Sequence, residues 1–278
     1  MRIQGKLRLG YFPLPLDEAR RIRACLRFPA APFSAIDPCI GDGAAFLAIT
    51  GETRALRYGV ELDTHRAQQA AAVVDEVIHG DCLEVHCPVE SCGLAFLNPP
   101  YDWIGGKTRS ERTERVFLAH TYRWLKAWGV LVLIVPAAQV RECAEILAAQ
   151  FKAIRIFRLT DLESVRYRQV VVLAVRRNRR ERDQLGDDDI VARRSQLGNA
   201  GGAYERLEPL GDIGTPMYDV PESGPAKLEY RGLPLDVIED LLPRSAAYRQ
   251  VARFRFTCSL ARAGDPHARA GDTLKHWR

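Results

Sequence analysis

Asp37, Glu61, Asp81 and Asn98 each close a short apolar run: FSAID, RYGVELD, VIHGD and GLAFLN. If these runs are strands of one sheet, the four polar side chains gather in a crevice at its carboxyl edge. Open α/β sheets bind ligands there. The turn after the first run is Asp37-Pro38-Cys39-Ile40-Gly41-Asp42-Gly43. It places Gly41 and Gly43 where the chain turns tightly and where a ligand can approach backbone N–H groups. A dinucleotide fingerprint would need a third glycine where Phe46 stands, and a P-loop would need a Lys-Ser/Thr pair that is absent. Glu61 follows Asp37 by 24 residues, a spacing at which an acid accepts hydrogen bonds from ribose hydroxyls. Asp81, in HGDCLE, is placed to meet an adenine amino group. The chemistry these residues suit is the binding of a nucleoside.

Asn98 opens the sequence Asn98-Pro99-Pro100-Tyr101. Two prolines end any strand, since neither donates a ladder hydrogen bond and both fix φ. The ordered set of glycine turn, Glu61, Asp81 and Asn-Pro-Pro-Tyr resembles the class I S-adenosylmethionine-dependent methyltransferases. Within them it is nearest to the amino-methylating group that modifies adenine N6, and to uncharacterised bacterial methyltransferase-like proteins. The resemblance covers roughly residues 9 to 177.

It implies S-adenosylmethionine as cofactor, held by Tyr11, Asp37, Cys39, Gly41, Gly43, Glu61, Asp81 and Asn98. Tyr11 lies in LGYFPLP, a segment that in this group carries a Thr before its last Pro; here Leu14 replaces it. Asn98, Pro99, Pro100 and Tyr101 become the catalytic set. The Asn98 side-chain oxygen and the Pro99 carbonyl would accept the two amino hydrogens of the target and free its nitrogen lone pair. The prolines would hold that carbonyl rigidly. Tyr101 would stack on a base flipped out of its duplex, a contact worth ~1–3 kcal/mol that needs the ring and not the hydroxyl. No metal is required. The following stretch, DWIGGKTRSERTER, offers Trp103 for stacking and Lys107, Arg109 and Arg112 for phosphates, or is simply a charged loop. The implied substrate is adenine in DNA. Adenine in RNA, a glutamine amide in protein, or a catalytically idle nucleic-acid-binding subunit of a larger complex are the competing readings.

The elements that must position these residues alternate. Strands are expected at 33–37, 57–63, 77–81, 93–98, 130–136, 153–159 and 169–177, with helices at 16–28, from 44, 64–77 (capped by Thr64), 113–128 and 139–151. The pattern predicts an α/β, Rossmann-like, seven-stranded, mostly parallel sheet with an antiparallel edge hairpin and helices on both faces. The helix over 113–128 would place Trp124 and Trp128 together in the core. A catalytic domain is expected over 1–180. Residues 181–278 read as a loop-rich C-terminal extension, dense in Gly, Pro and charge, in the position of an incomplete target-recognition region.

Composition sets outer bounds. Hydrophobic residues make up 47% and charged residues 27%, as in a globular protein. No apolar run approaches the ~20 residues of a membrane span. Seven cysteines at irregular spacings and a start without an apolar signal segment point to the reducing cytoplasm. His79, Cys82, His86, Cys87 and Cys92 fit no zinc spacing. The net charge of +5 is a mild bias toward polyanions. The runs VRRNRRER and KTRSERTER suit phosphate contacts or a solvated face equally well. A protein partner is compatible with this composition.

Overall fold

The computed structural model describes residues 12–101, 103–104, 111–212 and 214–232. Seven strands form one sheet: β1 (Phe33–Asp37), β2 (Ala55–Glu61), β3 (Glu76–His79), β4 (Cys92–Leu97), β5 (Leu125–Pro136), β6 (Phe151–Arg158) and β7 (Gln169–Arg176), in the spatial order β6-β7-β5-β4-β1-β2-β3. All neighbours are parallel except β7, which runs antiparallel to both β5 and β6. The chain therefore has a Rossmann-like sheet with an antiparallel hairpin at one edge.

Side-chain alternation explains the layers. Ile36, Ala95, Leu97, Leu131, Leu133 and Val135 enter one core cluster. Their sequence neighbours Ala35, Leu94, Phe96, Val130, Val132 and Ile134 enter the other. Strands covered on both faces are apolar at nearly every position; β1 is buried throughout, its Ser34 and Asp37 included. Helices α1 (Leu16–Ala24) and α2 (Ala44–Thr50) contribute Ile22 and Phe46 to the second cluster. Helices α4 (Thr113–Thr121) and α5 (Val140–Gln150) contribute Leu118 and Leu147 to the first. Helix α3 (Thr64–Ala70) links β2 to β3, and α6 (Leu162–Arg166) links β6 to β7.

Three local expectations need correction. The helix expected to Gly129 stops at Thr121, and a 3-10 turn leads into β5 at Leu125. Pairing of Leu125 with Cys92 extends the central ladder at the helix's expense. Trp124 still enters the core, but Trp128, at φ 64°, is 52% exposed. The cap of α3 is Asp63, not Thr64: its carboxylate accepts from His65 N and Arg66 N, both at 3.1 Å. A carboxylate one residue earlier has the reach to both free N–H groups.

The third correction concerns the stretch expected as loop beyond residue 180. It holds the short helix α7 (Arg179–Asp183) and the 13-residue helix α8 (Asp187–Asn199), the latter packed on α5. Helix α8 is fully buried only at Leu197, so its apolar stripe is faint; three aspartates in its first turn favour the helix electrostatically. After it the chain returns to the sheet. Ser34 N donates to Ser223 Oγ (2.8 Å), and Ser34 Oγ donates to the Gly224 carbonyl (2.6 Å). Glu229–Tyr230 pairs with Val85–His86. The compact unit that contains the sheet thus runs to Gly232. The run PLDVIEDLLP over 234–243 predicts a further short helix, which lies outside the described residues.

Candidate active site

Two of the four expected strand-end residues close their strands, and two lie just beyond them. Asp37 and Glu61 are the last residues of β1 and β2. Asp81 follows β3 and caps a 3-10 turn, accepting from Leu83 N at 2.9 Å. Asn98 follows β4 directly. An open cleft, about 520 Å³ when the solvent at its mouth is included, is lined by Cys39, Glu61, Asp81, Asn98, Pro100 and Phe117 among others. A larger one of about 1530 Å³ is lined by Phe12, Leu14, Asp37, Asn98, Tyr167 and Gln169 among others. Both clefts share Cys39 and Asn98, so Asn98 stands where they meet.

The glycine turn needs its glycines. Gly41 and Gly43 have φ of 60° and 82°, in the left-handed region that side chains disfavour. A Cβ on Gly43 would also lie 2.7 Å from Val73 Cγ2. Gly41 N donates to Glu61 Oε2 at 2.9 Å, tying the turn to the end of β2. Glu61 Oε1 accepts from Asp63 N (2.9 Å) and pairs with Arg66 (2.7 Å), both partners being well buried. Glu61 is therefore structural as well as cleft-lining, a double role the sequence did not reveal.

Asp37 is 1% exposed and accepts from Cys39 N at 2.9 Å. Burial pushes its carboxyl well above the usual range; the Cys39 N–H works against that, and Glu61 adds to it. Burial likewise pushes the Cys39 and Cys82 thiols well up, so neither is a thiolate nucleophile at neutral pH.

The Asn-Pro-Pro-Tyr segment is hydrogen-bonded through its side chains. Asn98 Nδ2 donates to the Phe12 carbonyl (2.8 Å), Tyr101 Oη donates to Asn98 Oδ1 (2.9 Å), and Gln169 Nε2 donates to Tyr101 Oη (2.7 Å). Burial raises the pKa of the Tyr101 hydroxyl, so it stays protonated. Phe12 covers one face of the Tyr101 ring (centroids 5.1 Å, 19° between planes) and meets Tyr167 edge-on at 4.7 Å.

Among the other expected residues, Tyr11, Lys107 and Arg109 lie outside the described residues. Trp103 is described only by its backbone, which pairs with Arg112. The sequence reading missed Phe12, Tyr167 and Gln169. Gln169 left one faint signal: it is the polar residue at the head of the otherwise apolar run QVVVLAV. The basic run at 175–182 is in part structural: Arg176, 5% exposed, donates to the carbonyls of Tyr122 and Leu125. Among the described residues no His, Cys, Asp and Glu group forms a metal cluster, and no helix is long and apolar enough to cross a membrane.

Residues 1–195 match the uncharacterised methyltransferase family DUF6094. The chain belongs to this family. No functionally curated protein matches it. Among solved structures, the proposed class I S-adenosylmethionine-dependent methyltransferase of Listeria monocytogenes superposes with a TM-score of 0.50 at 13% identity, over 66% of this chain and 69% of that one. A predicted O-methyltransferase of Agrobacterium tumefaciens gives 0.43 at 18% identity, over 58% and 81%. The geranyl diphosphate C-methyltransferase of Streptomyces coelicolor gives 0.44 at 15%, over 58% and 76%. This methyltransferase thus shares the class I fold at low sequence identity. Its strand-end residues are on the sheet edge that the fold leaves open.

Proposed function

We propose that this methyltransferase uses S-adenosylmethionine to methylate the exocyclic N6 amino group of adenine in DNA. The observation that carries the reading is Asn98-Pro99-Pro100-Tyr101 at the junction of the two clefts, with the Asn98 amide oriented by the Phe12 carbonyl.

The residues present fit the cofactor. One cleft offers the Glu61 and Asp81 carboxylates beside apolar Cys82 and Phe117, the mixture a nucleoside needs. The other begins at Asp37, a carboxyl suited to an ammonium group. Glu61 would accept from the ribose hydroxyls, Asp81 from the adenine amino group, and the Gly41–Gly43 turn would approach the ligand through its backbone, with Cys39 as a small packing residue. Bound S-adenosylmethionine supplies an electrophilic methyl group.

The chain's own residues then act on the acceptor. An adenine amino nitrogen is a poor nucleophile because its lone pair is delocalised into the ring. Asn98 Oδ1 keeps a second lone pair beyond the one facing Tyr101; with the Pro99 carbonyl it takes the two amino hydrogens and favours a pyramidal nitrogen. Phe12 covers one face of Tyr101, and the base stacks on the other. Trp103, Lys107 and Arg109 follow in sequence and would supply stacking and phosphate contacts to a flanking strand.

The test incubates the protein with methyl-labelled cofactor and adenine-containing DNA, matched RNA and a glutamine-bearing protein in parallel. Label is expected at N6 of adenine in DNA. Label confined to RNA or protein would move the substrate, and no label anywhere despite cofactor binding would make the chain a binding subunit.

A further inference from the structure

We infer that Gln169 is a positioning residue for methyl transfer: it fixes the Tyr101 hydroxyl and, through it, the acceptor oxygen of Asn98. The inference rests on the proposed role of Asn98.

One group in the hydrogen-bond chain has no choice of role. The Phe12 backbone carbonyl can only accept, so the Asn98 atom 2.8 Å from it must be the amide nitrogen. That orientation turns Oδ1 toward Tyr101. An amide oxygen only accepts, so the Tyr101 hydroxyl, 2.9 Å away, must donate to it. The single phenolic proton is then committed, and the Tyr101 oxygen is left as an acceptor. Gln169 Nε2 fills that role at 2.7 Å. The chain of bonds therefore has one direction, from Gln169 through Tyr101 to Asn98.

Gln169 is built to hold this end still. It is 3% exposed, heads β7, pairs with Pro136 of β5, and its carbonyl accepts from Leu159 N. It also lines the larger cleft. A buried residue whose backbone is held on both sides thus anchors a motif in a loop beyond β4. Without that anchor the phenol can swing, and Asn98 Oδ1 loses the partner that holds its angle to the acceptor. Small displacements of a preorganised acceptor are costly to turnover.

Three variants and one double variant test this in the full-length protein. Gln169→Leu keeps the volume and removes the donor. Gln169→Glu keeps the shape but, when ionised, can only accept, and so draws the Tyr101 proton away from Asn98. Both are expected to lower kcat about tenfold on an adenine oligonucleotide, with little change in KM for either substrate. Tyr101→Phe removes the hydroxyl through which Gln169 acts. Q169L added to Y101F should therefore cost nothing further, because residues acting through one network are not additive. A packing role would multiply the losses instead. A second readout needs no methyl acceptor: hydrogen exchange of the Asn98 side-chain amide, followed by NMR with thermal melts as a folding check, should quicken at least several-fold in Q169L and Q169E. Unchanged exchange in folded variants, or multiplying losses in the double variant, would overturn the role of Gln169. Absence of transfer by the unmodified protein would instead count against adenine as substrate, and the exchange measurement would still decide the relay.

Discussion

Asp37 shows how a single buried carboxyl makes stability depend on pH. Its raised pKa means that the folded state holds the proton more tightly than the unfolded chain. As pH rises above about 3.9, the unfolded carboxyl ionises first. Stability from this group is therefore complete below that pH and falls until the folded carboxyl also ionises. Asp37→Asn, which keeps an acceptor for Cys39 N, should melt a few degrees higher than the unaltered protein at pH 7 and no higher at pH 3.5. It should also bind cofactor more weakly, since it cannot carry the negative charge that an ammonium group would meet. A melting series by calorimetry with a cofactor titration checks both; a variant that melts lower at pH 7 would refute the burial argument. Glu61→Ala should weaken cofactor binding by roughly 1.5–3 kcal/mol, as a charged acceptor does, and should destabilise the fold as well, because Arg66 and Gly41 N lose their partner. Unaltered affinity by titration calorimetry would remove Glu61 from the cleft's function. At this scale the sequence was informative about residue types at strand ends. It could not reveal that Gln169 joins Tyr101 and Asn98, because only the sheet order brings the head of β7 to the motif after β4.

The elements were legible where one period dominates. The expected FSAID strand is the observed β1, and the edge hairpin is antiparallel as expected. The reading failed where local pattern and tertiary pairing compete, as at Leu125, whose helical neighbours gave way to a ladder with Cys92. It also failed where a helix buries almost nothing, as α8 does. In the proposed site the glycine turn is tightly constrained. Gly43→Ala combines a left-handed φ with a 2.7 Å clash. It should cost about 1–2 kcal/mol for the conformation alone, read as a lower urea midpoint at constant slope, with weakened cofactor binding. An unchanged midpoint would mean that the turn does not need the left-handed conformation.

The whole molecule differs most from its sequence reading beyond residue 180. The expected catalytic boundary would cut away Tyr218, Val220 and Leu228, all buried in the two core clusters. Their signal was weak because single apolar residues spaced among Gly and Pro show no period. A chain cut after residue 180 should be poorly soluble or melt well below one ending at Gly232; equal melting temperatures would restore the earlier boundary. The central claim, adenine amino methylation at Asn-Pro-Pro-Tyr, is tested most directly by single-turnover transfer from labelled S-adenosylmethionine to an adenine-containing DNA oligonucleotide, comparing the unaltered protein with Asn98→Ala and measuring cofactor affinity separately. Loss of one preorganised acceptor typically lowers turnover ~10²–10³-fold. A drop of that size with cofactor affinity retained is expected. Near-normal transfer by the Asn98→Ala protein would contradict it.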